Sequence, residues 1–356
     1  MRLNDTPKVR QNAVEAARLL SPTGKHTMTL KHPISRRKVL TAWGCAALAP
    51  LTSPAGAQAF PTKPIKVLIG VPPGGTQDVL TRAIANQLRD SLGVIVIEHK
   101  SGANGNIAME AVKAAEPDGH TLVLGTASML TMNPHTYKEI RFDSLKDFEP
   151  IVLAARFELA MNVHPDVPAT TLAELITWAR ANPAKASFAS YGAGTPSHFL
   201  GEMLNEAAGI KMTHVPYRGS PGARQDILGG QIPIFFDVVG GTISHFRAGR
   251  VKVLATSGSS RSPFLPDVPT FVELGFPKVT ATAWFSYLAP AKTPKAVVDR
   301  LNSEFNKAIN SREVRQQLLT AGMYPVGGAR TELAQKIRDD STQWERIVKA
   351  TGFVAT

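Results

Sequence analysis

From residue 65 onward, the chain alternates short β-branched runs with segments whose apolar residues recur at helical spacing. This alternation is typical of parallel α/β architecture, in which helices cover a sheet. The first run, Ile65–Ile69, predicts a strand, and Thr76 is placed to cap a helix that runs to about residue 92. Strands at 94–98 and 121–125 follow, separated by a glycine-rich loop and a helix.

The second part of the chain repeats this scheme. Thr171 is placed to cap a helix that runs to residue 181, and Pro196 and Pro221 stand at the favoured first position of two more helices. Further strands are predicted at 151–155, 160–163, 187–190, 212–215, 232–236, 251–256 and 281–289, and further helices at 294–310, 313–321 and 331–351.

The predicted strand at 281–289 returns to the first sheet after the second has been built. The chain therefore crosses between two α/β lobes twice, and two crossings make a hinge with a ligand cleft between the lobes. The predicted lobes are residues 60–158 together with 281–356, and residues 159–280.

Residues 1–59 predict a signal segment that is removed on export. Arg36 and Arg37 precede an apolar stretch at 39–51, which is shorter than the roughly 20 residues that span a bilayer. Small-x-small cleavage sites follow at 55–57 and 57–59, so we expect the mature chain to begin near residue 58 or 60 in the periplasm. Twin-arginine and Sec routing both stay open, and Met28 is an alternative start.

Composition and charge narrow the function. The single cysteine, Cys45, lies in the predicted signal segment. It is interpreted there as a small apolar residue, and not as the lipid-modified cysteine of a lipoprotein. The body therefore offers no disulfide and no thiol nucleophile. Residues 1–57 hold nine Lys and Arg and two Asp and Glu, so they contribute +7 of the net charge of +12. The rest of the chain holds 31 basic and 26 acidic residues. Without a dense basic cluster, the chain is not predicted to bind nucleic acid.

The run at 72–78, Pro-Pro-Gly-Gly-Thr-Gln-Asp, is the first candidate site. Gly74 and Gly75 let the backbone approach a ligand, and the following helix N-terminus offers free N–H groups to a carboxylate or phosphate. A tight turn is the alternative interpretation of the glycine pair. Asp78 is interpreted as a helix-start anion or an interlobe hydrogen-bonding group, not as a catalytic base.

The second candidate site is the run at 190–198. Ser190, Thr195 and Ser197 place hydroxyls near a helix start, where they suit a carboxylate or its bridging waters. Simple N-capping by Thr195 is the alternative. Ser197 and His198 do not form a nucleophile–base pair, because adjacent helical residues do not face each other.

The third candidate site is the strand-loop-helix corner at 215–220. Tyr217 can cover a ligand, and Asp237 ends a buried strand that points to the same cleft. Arg218 is either a partner for the ligand or a solvated side chain on the rim, which is the commoner case. For Trp284 and Phe285, core packing is favoured over stacking on a ligand. The scattered histidines predict no metal site and no cofactor.

The residues resemble the Bug-type receptors, the substrate-binding proteins of tripartite tricarboxylate transporters. The matching segments, in order, are 60–65, 71–78, 101–107, 117–119, 133–134, 145–148, 194–198, 214–219, 228–231, 236–237, 265–270, 289–290 and 293–294. The resemblance implies a type II periplasmic-binding-protein fold that closes on its ligand. The resemblance implies that Gly74, Gly75, Thr76, Asp78, Ser190, Thr195 and Ser197 hold a carboxylate, with Asp237 near them, and the full expected ligand-binding set adds Ser128, Gly194, His198 and Tyr217.

The expected function is reversible capture of a small carboxylate, without catalysis, and its delivery to membrane permease subunits. Di- and tricarboxylates, acidic amino acids and aromatic carboxylates are all candidate ligands, and a monomer is expected. A ligand sensor that partners a two-component system is the first alternative. An exported α/β hydrolase is the second, although no nucleophile–base pair supports it. The sequence departs from the family pattern at Tyr191, Ala193 and Val238, in the part of the pocket that selects the ligand.

Overall fold

The computed structural model describes residues 60–355, so the predicted signal segment lies outside the described residues. Strands β1 to β10 are Ile65–Ile69, Ile95–His99, Thr121–Thr126, Phe148–Val163, Ser187–Ser190, Thr213–Pro216, Ile234–Val238, Lys252–Thr256, Thr282–Pro290 and Tyr324–Pro325. Helices α1 to α10 are Thr76–Leu92, Asn106–Lys113, Asn133–Thr136, Leu172–Ala181, Pro196–Ala208, Ser220–Leu228, Val239–Arg247, Lys295–Asn310, Arg312–Thr320 and Arg330–Thr351. None of the helices between residues 60 and 355 is both long and apolar enough to cross a bilayer.

The strands form two parallel groups joined through an antiparallel pair. Their order is β2-β1-β3-β9-β4-β7-β5-β6, and β8 and β10 also pair with β4. β1 runs parallel to β2 and β3, and β5 runs parallel to β6 and β7. β4 and β9 are antiparallel to each other and to their other neighbours. This is the predicted fold class, two α/β lobes linked by two chain crossings.

β4 is one strand of 16 residues where the sequence predicts two shorter ones. Its first part, residues 148–158, pairs with β9, and Leu159–Val163 pairs with β7 and β8. Arg156 and Glu158 interrupt the apolar pattern of β4, but the side chain of Tyr324 contacts both. Arg156 lies 4.2 Å from the Tyr324 ring centroid, and Glu158 accepts a 3.2 Å hydrogen bond from the Tyr324 hydroxyl. The chain therefore stays extended from one lobe to the other.

Each parallel group packs its own hydrophobic core. One cluster gathers residues of β1, β3, β4 and β9 with α1 and α8, and it includes Tyr287 and Phe305. The other gathers the end of β4, β5 and β7 with α4 and α5, and it includes Phe188 and Phe199. Trp344 of α10 joins this second cluster, so the last helix reaches across the molecule. The lobe boundaries at 158 and 280 stay a prediction.

Most helix starts agree with the predicted ones to within a residue. Thr171 caps α4, and its hydroxyl accepts a 3.2 Å hydrogen bond from the Glu174 N–H in a capping box. Thr76 does not cap α1, because Gly75 occupies the N-cap position and has no side chain to offer. α3, α7 and β10 were not predicted.

Candidate functional site

A cavity of about 220 Å³ lies where the carboxyl ends of parallel strands meet, the usual place for a ligand in an open α/β sheet. Its walls draw on residues within four segments, 71–77 after β1, 126–129 at the end of β3, 191–195 after β5, and 218–221 after β6. Phe157 of β4, Val238 of β7 and Phe285 of β9 also line it, and we call these three residues the apolar floor. Both lobes therefore contribute to one cavity.

The N-terminus of α1 faces this cavity through Gly75 and Thr76. Gly75 is the N-cap with φ of −86° and makes no side-chain cap, so no side chain of the described residues competes for the first N–H groups of the helix. Gly74 has φ of +92°, which favours glycine, and it lets the loop turn into the helix. The unsatisfied N–H groups and the helix dipole make this wall attractive to an anion.

Asp78 braces the same loop from behind, outside the cavity lining. Its carboxylate accepts hydrogen bonds from Arg82 Nε at 3.1 Å and Gly74 N at 3.4 Å, and lies 3.3 Å from His99 Nε2. Burial works to raise its pKa, but the Arg82 and Gly74 hydrogen bonds outweigh it and hold the pKa of Asp78 below its usual value. Since His99 also hydrogen-bonds Val71 O at 2.8 Å, Asp78 fixes the shape of the loop.

Three polar side chains of this wall have groups with no partner among residues 60–355. The hydroxyls of Thr76 and Ser128 line the cavity and make no hydrogen bond within that range. The side-chain oxygen of Gln77 is buried in the wall and likewise has no donor within the described part of the chain. Sequence reasoning missed Gln77, although it lies inside the motif that was singled out. The two hydroxyls are free to meet a ligand, whereas the buried Gln77 oxygen reaches one only if its amide turns.

The second candidate segment places only one of its predicted hydroxyls at the cavity. Thr195 lines it, and its hydroxyl donates a 2.6 Å hydrogen bond to Gly192 O. Ser197 instead donates to Phe236 O at 2.5 Å, and Ser190 lies 2.7 Å from His214 Nε2. Both serines are fully buried in the protein interior. They support the segment from within.

His198 and Gly194 shape the turn that carries Thr195. His198 Nδ1 accepts a 3.1 Å hydrogen bond from Gly194 N, which has φ of +70° and so favours glycine. The His198 ring does not face Ser197 but stacks on His214, with ring centroids 3.8 Å apart. Neither His198 nor Gly194 lines the cavity, and their predicted role in ligand binding stays a prediction.

The third candidate segment brings Arg218 and Ser220 to the cavity. Arg218 is exposed and makes no ion pair or hydrogen bond to any residue between 60 and 355. The Tyr217 hydroxyl points to the protein surface and donates to Asp226 at 2.6 Å, and burial together with the Asp226 carboxylate raises its pKa to about 12. Arg218 is therefore the free cation at the rim, and Tyr217 stays outside the lining.

Asp237 lies directly beneath the third segment. It accepts hydrogen bonds from Ser220 Oγ and Val238 N, both at 2.8 Å, and from two nitrogens of Arg224, the shorter at 2.7 Å. Its carboxylate is thus engaged by the protein on both oxygens. Asp237 positions two cavity-lining residues without lining the cavity itself.

Of the apolar floor, the sequence placed only Val238 in the pocket. Phe157 lies within the predicted break between the strands at 151–155 and 160–163, and for Phe285, as for Trp284, core packing was favoured over contact with a ligand. Trp284 next to it also lines the cavity, but its indole donates to Asp340 of α10 at 2.6 Å and packs in a core cluster. The predicted core role of Trp284 agrees with these contacts. Within residues 60–355, no group of three or more His, Cys, Asp or Glu is arranged to hold a metal ion.

Two α/β lobes joined by antiparallel crossing strands, with a cavity at the carboxyl ends of their parallel strands, define the class of type II periplasmic solute-binding proteins. Within that class the chain belongs to the tripartite tricarboxylate transporter receptor family (TctC), whose family model matches residues 80–353.

Relatives of known sequence agree with this assignment. The chain is 36% identical over 320 residues to the "UPF0065 protein in tcbD-tcbE intergenic region" of Pseudomonas sp. (strain P51), covering 88% of this chain and 94% of the relative. It is 32% identical over 308 residues to protein BugT of Bordetella pertussis, covering 86% and 94%. The resemblance to Bug-type receptors is confirmed.

Solved structures share the fold along almost their whole length. A protein of Rhodopseudomonas palustris, Rpa4515 with adipate, superposes with a TM-score of 0.78 at 30% identity and covers 83% of this chain and 99% of its own. MatC of the same organism, with bound malate, gives 0.76 at 28% identity and covers 81% and 100%. The periplasmic binding protein BugD gives 0.78 at 29% identity and covers 83% and 100%.

Proposed function

We propose that the protein captures a small carboxylate in this cavity, without catalysis, and presents it to the membrane permease subunits of a tripartite transporter. It would act in the periplasm as a monomer, after export by its N-terminal signal segment. Relatives that hold adipate and malate on the same fold support a carboxylate ligand.

The observation that carries this proposal is the wall around the N-terminus of α1. A helix N-terminus without a side-chain cap stands beside the free hydroxyls of Thr76 and Ser128. Hydrogen bonds from N–H and O–H groups to a charged acceptor are among the stronger ones in proteins. Across the cavity, Arg218 adds a positive charge, while the carboxylates of Asp78 and Asp237 lie outside the lining, paired with Arg82 and Arg224.

Isothermal titration calorimetry of the purified protein against mono-, di- and tricarboxylates tests the proposal. We expect at least one carboxylate to bind and its neutral amide not to bind. In the double variant Thr76→Val/Ser128→Ala, the loss of two hydrogen bonds to a charged group should raise Kd by about 30-fold or more. Thr342→Val is the matched control, because its hydroxyl bonds Arg338 O on the exposed face of α10.

Two results would contradict the proposal. Binding of neutral sugars, without binding of any carboxylate, would show that the cavity is not an anion site. Turnover of a bound ester or amide would show that the protein is an enzyme. Delivery to the permease is tested separately, by loss of uptake of the bound carboxylate in cells that lack this receptor. A kinase response to the ligand with normal uptake would instead favour the sensor alternative.

A further inference from the structure

The charges around the cavity limit which carboxylates it suits. Arg218 is the one charged side chain in the lining described for residues 60–355. An acidic amino acid would need a carboxylate in the lining for its ammonium group, but Asp78 and Asp237 both lie outside the lining and are paired with Arg82 and Arg224. A tricarboxylate would place three negative charges against one guanidinium and one helix N-terminus, at a high desolvation cost. The charge balance favours one or two carboxylates on an uncharged body.

The apolar floor indicates what that body is. The rings of Phe157 and Phe285 lie 4.7 Å apart between centroids at an interplanar angle of 43°, and both side chains are less than 5% exposed. Val238 belongs to the same hydrophobic cluster, and Tyr191 packs against that cluster from the second lobe. Because β4 and β9 hold the two phenylalanines on paired strands, this floor is rigid and already formed. Aromatic rings prefer such offset and edge-to-face neighbours.

The volume of the cavity fits a single ring. A cavity of about 150 Å³ lined by apolar side chains is enough to bind benzene. The cavity here measures about 220 Å³, so one ring leaves room for a carboxylate at the helix N-terminus. The buried oxygen of Gln77 stands in the same wall, and its amide can turn to present either an acceptor or a donor to a ring substituent.

We infer that the ligand is a one-ring aromatic carboxylate, with its carboxylate at the N-terminus of α1 and its ring on the apolar floor. This inference rests on the proposed function and narrows it. An aliphatic dicarboxylate as long as the aromatic compound would also place a carboxylate at the N-terminus of α1. Only its methylene or hydroxyl groups, however, would contact the apolar floor. Affinity for the aromatic compound should therefore exceed that for the aliphatic one.

Calorimetry with matched probes tests the inference on the unaltered protein. The probes are benzoate, cyclohexanecarboxylate, adipate, malate and, as a neutral analogue, benzamide. We expect benzoate to bind at least about tenfold more tightly than adipate or malate, and more tightly than cyclohexanecarboxylate. Benzamide should not bind. Tight binding of adipate or malate without benzoate would overturn the inference and leave the proposed function standing, whereas binding of none of the carboxylates would overturn both.

A variant pair separates the floor from general stability. Phe285→Leu should weaken benzoate binding by about fivefold to tenfold and leave adipate or malate binding nearly unchanged. Phe305→Leu is the control, because Phe305 belongs to the same hydrophobic cluster but does not line the cavity. It should preserve the benzoate-to-adipate ratio even where the melting temperature falls. An unchanged ratio in Phe285→Leu, or an equal change in both variants, would overturn the role of the floor.

Discussion

At the scale of single residues, Asp237 shows how a buried charge can serve a binding site without touching the ligand. It is 1% exposed, and its oxygens hold Ser220, Val238 and Arg224. Burial raises the pKa of Asp237, and the Arg224 guanidinium opposes that effect. The absence of a side chain at Gly241 gives the pair its space, since a Cβ there would lie 2.1 Å from Arg224. The carboxylate sets the position of two wall residues.

Asp237→Asn should lower the free energy of unfolding by about 2 kcal/mol, because the two hydrogen bonds from Arg224 to Oδ2 lose their charged acceptor inside the protein. Urea denaturation followed by circular dichroism measures this change. Asp226→Asn is the control, since Asp226 lies on α6, the helix that carries Arg224, and its half-buried carboxylate accepts a hydrogen bond from the Tyr217 hydroxyl. It should cost less than about 1 kcal/mol. Equal losses in the two variants would show that the buried carboxylate of Asp237 contributes no more stability than the half-buried carboxylate of Asp226.

At the scale of secondary-structure elements, a stacked histidine pair joins α5 to β6 behind the Gly192–Thr195 turn. The His198 and His214 rings are nearly parallel at 18°. Burial, and then the neighbouring His198, lower the pKa of His214 to about 3. His214 is also bonded to Ser190, which in turn bonds Gly192 O at 3.0 Å. The neutral form of His214 therefore supports the turn that carries Thr195.

This pair predicts a loss of stability in mild acid. The unfolded chain takes up a proton at His214 near pH 6.5, whereas the folded protein does so only near pH 3. The contribution of neutral His214 to the free energy of unfolding is therefore complete above pH 6.5 and is lost as the pH falls towards 3. Between pH 6.5 and 5, the melting temperature should fall in the unaltered protein and fall less in His214→Gln, which keeps a donor for Ser190 but cannot titrate. Parallel pH profiles would contradict this role.

The element pattern was predictable where local chemistry marks it. α4 was found because Thr171 is a favoured N-cap residue, and α5 because Pro196 stands at its first position. α7 was missed because Gly240 and Gly241 near its start predict a turn, and the contact that stabilises a helix there comes from a distant segment. Similarly, Ser190 and Ser197 are drawn inward by groups 24 and 39 residues away, which no local spacing reveals.

At the scale of the whole molecule, the start of α7 packs backbone to backbone on the turn between α9 and β10. A Cβ on Gly240 would lie 1.8 Å from Ala321 O, and a Cβ on Gly322 would lie 2.4 Å from Gly240 Cα. Gly240 falls in the second predicted lobe and Gly322 in the first. Closure of a two-lobed receptor on its ligand requires such interlobe contacts to repack or to pivot. We expect this glycine contact to set the closed geometry.

Gly240→Ala should wedge the two segments apart, because the atom it meets is backbone that cannot rotate away. A receptor held away from its closed state binds every ligand less tightly, since affinity scales with the population of the closed form. Calorimetry should therefore show Kd raised by a similar factor for all carboxylates that bind, in contrast to the selective effect expected at the apolar floor. Gly222→Ala, on exposed α6 with its nearest contact a Tyr217 ring carbon at 3.4 Å, is the control and should leave Kd unchanged. If Gly240→Ala lowers the melting temperature but preserves every Kd, the contact stabilises the fold without governing closure.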